Sequence, residues 1–335
     1  MSLAAAVAIL NALAALICAL VFRTRMLIPG EVPDARVTLI LPATGPLPGI
    51  ADLFEELRGQ SLRPARLIVA VESEADPAYA RVARLKPAYP DLAIELIVAG
   101  VSGERAQKCT NILAGLQRLG AVDVYVVLFD ADIRPQPWWL AGLIGPLAAG
   151  RADIVNAYRW QVPQRTSLAT VIGAAIDRGI AVLARIGSNA AVWGGSVAFT
   201  RAALDALDLP RILARAVTED AVIGLEAEAL GLRVVTRRGL RLPTPLSGGL
   251  VSLWRFTRRQ YQLVRLYRPR LWLLASSICT ADLLARTTLI IAAFAADAAA
   301  ARIAVAALVA LGLLGSITAE LRFAVGRRLG VADPL

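Results

Sequence analysis

With 335 residues, 57% of them hydrophobic, and a mean hydropathy of +0.60, the chain carries more apolar surface than a water-soluble core of this size hides, so part of it belongs in a bilayer. The formal net charge is +10 and comes almost wholly from arginine, the lysines being Lys86 and Lys108; this suits phosphate groups or anionic lipid, and no nucleic-acid-binding motif accompanies it. Histidine is absent, which excludes Ser-His and Cys-His nucleophile pairs and most zinc sites, and Cys18, Cys109 and Cys279 form no CxxC pair, so chemistry falls to Asp, Glu, Arg and Lys.

Residues 3–22 carry no charge and are long enough to span a bilayer as a helix. Arg23 and Arg25 follow directly, so the positive-inside rule places the chain beyond them in the cytoplasm. Apolar, β-rich runs at 36–43, 66–72, 93–99 and 124–130 then alternate with helical stretches, the pattern of a mostly parallel α/β sheet. Ligands bind such sheets beyond the carboxyl ends of the strands, where Thr44, Glu72, Asp130 and Asp132 fall. Neither GxGxxG nor GxxxxGK[ST] is present, which argues against a nicotinamide enzyme and a P-loop ATPase.

Three pieces carry candidate chemistry. Asp130 and Asp132 end the run 128–135; paired carboxylates at a buried strand end repel unless a hard divalent cation such as Mg²⁺ or Mn²⁺ joins them, although a solvated turn or a helix cap by Asp132 would also explain them. Gly194 and Gly195 admit close approach of the backbone to a bulky ligand, or simply form a tight turn. Thr218, Glu219 and Asp220 precede a helical stretch. There Thr218 would cap the helix and the acids complement its dipole, or else Asp220 serves as a general base. Between the first and second of these pieces, 166–187 reads as an amphipathic segment, either packed on the sheet or lying near the membrane beside an acceptor.

Residues 254–270 hold six arginines interleaved with aromatics, an interfacial helix whose arginines meet headgroups or turn inward to a pyrophosphate. Two further apolar runs, 271–296 and 300–317, complete three crossings, with Arg322, Arg327 and Arg328 returning the chain to the cytoplasm. Asp282 and Arg286 share a helix face inside the first run, as a packing pair or a polar lining.

The ordered set of DAD (130–132), GGSVAFTR (194–201), TED (218–220) and QLVR (262–265) before membrane helices resembles the family-2 glycosyltransferases, and most closely the ceramide glucosyltransferase-like family, over about residues 36–270. The resemblance implies a glycosyltransferase-A (nucleotide-diphospho-sugar transferase) α/β domain with one N-terminal and about two C-terminal transmembrane helices. It divides the chain at 1–25 (anchor), 35–245 (cytoplasmic catalytic domain), 246–270 (interfacial segment) and 271–320 (membrane helices). It implies an inverting transfer of a hexose from a UDP-sugar to a lipid hydroxyl, ceramide first, at a bacterial inner membrane. A hopanoid, a diacylglycerol or a polyprenyl phosphate is the alternative acceptor, and a non-catalytic nucleotide-binding scaffold the alternative class. By position, Asp220, with Glu219 beside it, corresponds to the catalytic acid pair; Asp132 and Asp130 to the Mg²⁺ or Mn²⁺ ligands; and Thr44, Glu72, Lys108, Asp130, Gly195, Gln262 and Arg265 to the donor site. Leu266 stands where that family carries Trp.

Overall fold

The computed structural model describes residues 1–28, 30–183 and 192–331. The chain divides into two compact units, one helical and one α/β.

Alternation along the strands builds the α/β unit. Val37, Leu39 and Leu41 of β1 (Val37–Pro42) share one face of the sheet with Leu67, Val69 and Val71 of β2 (Arg66–Val71), while Ile40 and Ile68 share the other, and all are buried. Side chains of period two that are apolar on both faces require cover on both, which helices supply. On the first face lie α2 (Ile50–Arg58) and α3 (Pro77–Leu85), and on the second α4 (Gln107–Leu116), which follows β3 (Ile94–Val98). After β4 (Tyr125–Phe129), α5 (Trp139–Ala148) returns to the first face and buries Trp139, Leu140, Leu143 and Ile144. Further along come β5 (Ile154–Pro163), α6 (Leu168–Ala181), β6 (Ser196–Thr200), α7 (Arg201–Leu207), α8 (Leu209–Ile212), α9 (Glu219–Ala229) and β7 (Val234–Leu246). Of these, α7 to α9 cover the second face.

The sheet order is β3-β2-β1-β4-β6-β5-β7. The strands β3, β2, β1 and β4 are parallel, as the alternating pattern predicts. Beyond β4 the expectation of a mostly parallel sheet fails, because β6 runs antiparallel to β4 and β5 antiparallel to β6. That reversal positions the site. With Phe129 opposite Ser196, the carboxyl end of β4 meets the amino end of β6, and Asp130 comes to lie beside Gly195.

The helical unit contains α1 (Ser2–Thr24), α6, α10 (Leu250–Tyr267), α11 (Pro269–Ala295) and α12 (Ala298–Arg328). At 23, 27 and 31 residues, α1, α11 and α12 are long and apolar enough to cross a membrane, whose hydrocarbon core takes about 20 residues of helix. Ala8, Ala285, Ala292, Ala304 and Ala307 let them approach closely around Leu289 and Leu311. Asp282 is held by Arg286 at 2.7 Å and by Asn11 of α1 at 3.4 Å, the packing-pair arrangement. The Arg328 guanidinium donates to the Arg23 carbonyl at 3.1 Å, so the basic ends of α1 and α12 stand together.

The helix α6 starts at a reciprocal cap in which Ser167 and Thr170 exchange side-chain and backbone bonds. Its faces are inverted relative to a water-facing helix. Ala169, Gly173, Ala174, Asp177 and Arg178 are buried, while Leu168, Ile172, Ile176 and Ile180 are exposed. It packs against α10, and Arg178 lies over the Phe323 ring of α12 at 5.5 Å. The end of the amphipathic segment read from the sequence, 184–187, lies outside the described residues.

Candidate active site

Six chain segments meet at the carboxyl edge of the parallel strands. The loop after β1 carries Thr44, whose hydroxyl donates to Asp76 at 2.8 Å, and Gly45, whose amide donates to the other Asp76 oxygen at 2.8 Å. Asp76 also caps α3 through the Ala78 amide at 2.7 Å, so one buried carboxylate fixes the loops after both β1 and β2. Glu72, in the loop after β2, is partly exposed and has no bonded partner among the described residues.

Asn111 is buried in α4 and ties this helix to the strands. Its amide donates to the carbonyls of Ala43 and Ala70, each at 3.1 Å, and its oxygen accepts from Gln107 at 2.8 Å. Gln107 in turn donates to Gly100 and accepts from Ser102. The start of α4 is held against the segment leading to α9 by the Ala106 amide on the Ala216 carbonyl at 3.0 Å. These bonds bring Lys108 to Glu219.

The Lys108 ammonium lies 2.6 Å from Asp130 Oδ1 and 2.5 Å from Glu219 Oε1, and it donates to the Gly194 carbonyl at 3.3 Å. The Asp130 amide donates to Gly195 at 3.2 Å, as the strand register dictates. A Cβ on Gly194 would run into the Glu219 carboxylate and one on Gly195 into the Trp193 ring, so both glycines are required by close approach. Trp193 is itself held by Asn156, which accepts from its amide at 3.1 Å, and stacks obliquely on Tyr158 at 5.8 Å.

One ammonium serves two carboxylates here, and all three groups are shifted toward their protonated forms. Burial would push the Lys108 ammonium down, but Asp130 and Glu219 outweigh it and hold the group above the ordinary lysine range. Burial pushes Asp130 up; Lys108 opposes this, and the Asp132 and Asp220 carboxylates add to it. Burial pushes Glu219 up as well, again against Lys108 and with Asp220 and Asp130 adding.

The remaining acids are arranged differently. Asp132 stands in an exposed turn, caps no helix, and has no bonded partner among the described residues. Asp220 is half-buried, and its Oδ1 accepts from the Thr218 hydroxyl at 2.6 Å and the Ala221 amide at 2.7 Å. Thr218 occupies the cap position of α9 but makes no side-chain cap bond, contrary to the capping expectation; its hydroxyl donates to Asp220 instead. Gln262 and Arg265 lie exposed on α10 in the helical unit, and the Arg265 guanidinium sits over the Trp272 ring at 5.2 Å. No residue of α10 is buried.

The donor set suits a divalent cation that is completed by a ligand. Among the described residues no three His, Cys, Asp or Glu side chains converge into a protein-only cage. What is present is hard carboxylate oxygen on one turn, open at Asp132 and already touching a stand-in cation, the Lys108 ammonium, at Asp130.

Sequence reasoning missed Asp76 and Asn111. The Asp-Pro at the start of α3 signals a cap for Asp76, whereas nothing local marks Asn111.

The profile of glycosyl transferase family 21 matches residues 1–328, and the chain belongs to this family. Its α/β unit has the glycosyltransferase-A fold. The mannosyltransferase PcManGT of Pyrobaculum calidifontis, solved with GDP-Man and Mn²⁺, is similar at 21% identity and a TM-score of 0.58, over 96% of this chain and 98% of that one. Glucosyl-3-phosphoglycerate synthase of Mycobacterium tuberculosis, solved with phosphoglyceric acid, is similar over 70% of this chain and 80% of that one at 17% identity and a TM-score of 0.45, too distant to bear on this site. No curated protein matches the chain.

Proposed function

We propose that the chain transfers a sugar from a UDP-sugar to the hydroxyl of a membrane lipid, ceramide first, with inversion at the anomeric carbon. The observation that carries this reading is Asp220. Its Oδ1 is fixed by two donors, while Oδ2 makes no described bond, the arrangement of an aimed base. The Asp220 carboxylate takes the proton of the lipid hydroxyl while that oxygen bonds to the anomeric carbon. The bond from this carbon to the diphosphate breaks on the opposite face and the nucleoside diphosphate leaves. A Mg²⁺ or Mn²⁺ ion bound with the donor would neutralise the leaving diphosphate. Asp132 and Asp130 would hold it, and Glu72 and Thr44 line the same strand edge on the nucleoside side. Gly195 lets the backbone lie close to the sugar. Gln262 and Arg265 are assigned to the diphosphate by the sequence resemblance.

Three features support a lipid acceptor. Three helices have the length and apolarity of membrane spans. The aliphatic row of α6 is exposed in the same helical unit. The basic ends of α1 and α12 coincide, which the positive-inside rule reads as one cytoplasmic side, with the catalytic domain on it. The 35–245 catalytic and 246–270 interfacial assignments are part of this reading, with α6, inside 35–245, belonging to the helical unit. The similar mannosyltransferase was solved with GDP-Man and Mn²⁺, so a GDP-sugar is the second donor to weigh.

The test is nucleoside diphosphate release by the full-length protein in detergent with Mn²⁺ or Mg²⁺. Each of several UDP-sugars and GDP-mannose is paired with ceramide, diacylglycerol, a hopanoid and a polyprenyl phosphate. Release that depends on a lipid, with a product mass equal to lipid plus hexose less one water, is expected. Donor binding without release for every pair would favour a non-catalytic scaffold.

A further inference from the structure

Lys108 holds no free donor. An ammonium has three N–H groups, and Asp130, Glu219 and the Gly194 carbonyl take them at 2.6, 2.5 and 3.3 Å. A lysine used simply to grip a phosphate would point at open space. This one instead points into the acids, and the main chain keeps it there. Its helix is locked by Asn111 and Gln107, and the wall opposite is Gly194, where any Cβ would collide with Glu219 and crowd the ammonium.

We infer that Lys108 is a built-in counter-ion that occupies the cation position on Asp130 until a nucleoside diphosphate arrives, so that divalent metal and nucleotide bind only as a pair. This deepens the donor reading given above and rests on it for the identity of the anion. The electrostatic reasoning is direct. A metal ion arriving alone would have to share Asp130 with an ammonium already in contact, and two cations at one carboxylate repel. A diphosphate brings the negative charge that lets both remain, the ammonium turning to a phosphate oxygen as the metal joins Asp130 and Asp132. Lys108 is then a positioning residue that makes metal affinity depend on the donor, and by linkage makes donor affinity depend on the metal to the same degree.

The experiment is Mn²⁺ binding by the full-length protein in detergent, read from the electron paramagnetic resonance of free Mn²⁺, with and without UDP or GDP. Wild type is expected to bind Mn²⁺ weakly alone and much more tightly with nucleotide. Lys108→Met is expected to bind Mn²⁺ alone about tenfold or more tightly than wild type, with the gain from nucleotide reduced by a similar factor. Because Lys108→Met strands the buried Glu219, the paired variant Lys108→Met/Glu219→Gln removes both partners and should show the same gain. Mn²⁺ affinity no higher than wild type in the folded variants would overturn the counter-ion role. Should wild type bind neither nucleotide while the variants still gain Mn²⁺ affinity, the donor reading falls and the counter-ion role stands.

Discussion

Asp130 touches the Lys108 ammonium at 2.6 Å and takes its backbone place from Gly195, whereas Asp132, on the same turn, faces solvent with no bonded partner among the described residues. The same contrast runs through the site. Its floor, made of Asn111, Lys108, Glu219 and Gly194, is interlocked and largely satisfied. Its rim, made of Glu72, Asp132 and one oxygen of Asp220, has spare bonding capacity. A satisfied group sets geometry because moving it exposes uncompensated polarity, and an unsatisfied one is available to a ligand. Floor substitutions should therefore cost stability before chemistry, and rim substitutions chemistry without stability.

The largest effect that sharpens this contrast is expected at the rim. Asp132→Asn should lower the transfer rate by about 10²-fold or more, since it weakens the grip on a charge-neutralising cation, and should leave the thermal midpoint in detergent unchanged. A lowered midpoint would move Asp132 into the floor. Next comes Asn111→Ala, which leaves the Ala43 and Ala70 carbonyls and Gln107 short of a partner in a buried place. A loss of about 2–3 kcal/mol in denaturant unfolding is expected. Gly194→Ala forces Glu219 off its position and should cost about 1–3 kcal/mol, together with a weaker Lys108 contact.

The smallest effect is a pH dependence away from the chemistry. Glu56 Oε2 is buried without a partner, and Arg134 reaches only its other oxygen, at 3.9 Å. Burial pushes the carboxyl up to about 7, with Arg134 opposing and Asp52 adding. The folded state thus holds a proton that the unfolded chain has released between pH 4.5 and about 7, so this residue's contribution to stability falls as pH rises across that window. Glu56→Gln should match wild type at pH 4.5 and exceed it at pH 8 by about 1–2 kcal/mol, reduced from the full shift by the solvent that reaches the side chain. Melting curves at the two pH values decide it. Equal gains at both would assign the effect to packing.

The parallel half of the sheet was legible because β1 to β4 are short aliphatic runs separated by amphipathic helices. The antiparallel half was not. Strand direction leaves no trace in hydrophobic spacing, and β5 mixes Asn156, Arg159 and Gln161 into its buried run while β7 carries Arg237, Arg238 and Arg241. The acids at the strand ends were legible from position. Their division into floor and rim was not, because it depends on α4 bringing Lys108 to Glu219 across more than a hundred residues of chain. The exposed aliphatic row of α6 shows the same limit. Its amphipathic spacing is plain in the sequence, but which face is buried is a property of its neighbours.

The measurement that tests the account most directly compares wild type with Asp220→Asn, reading donor binding and acceptor-dependent nucleoside diphosphate release on the same samples. An aimed general base is worth about 10²–10⁴-fold in rate. Asp220→Asn should therefore bind the donor as wild type does and turn over slower by about that factor. Turnover at the wild-type rate would contradict the assignment of Asp220 as the base.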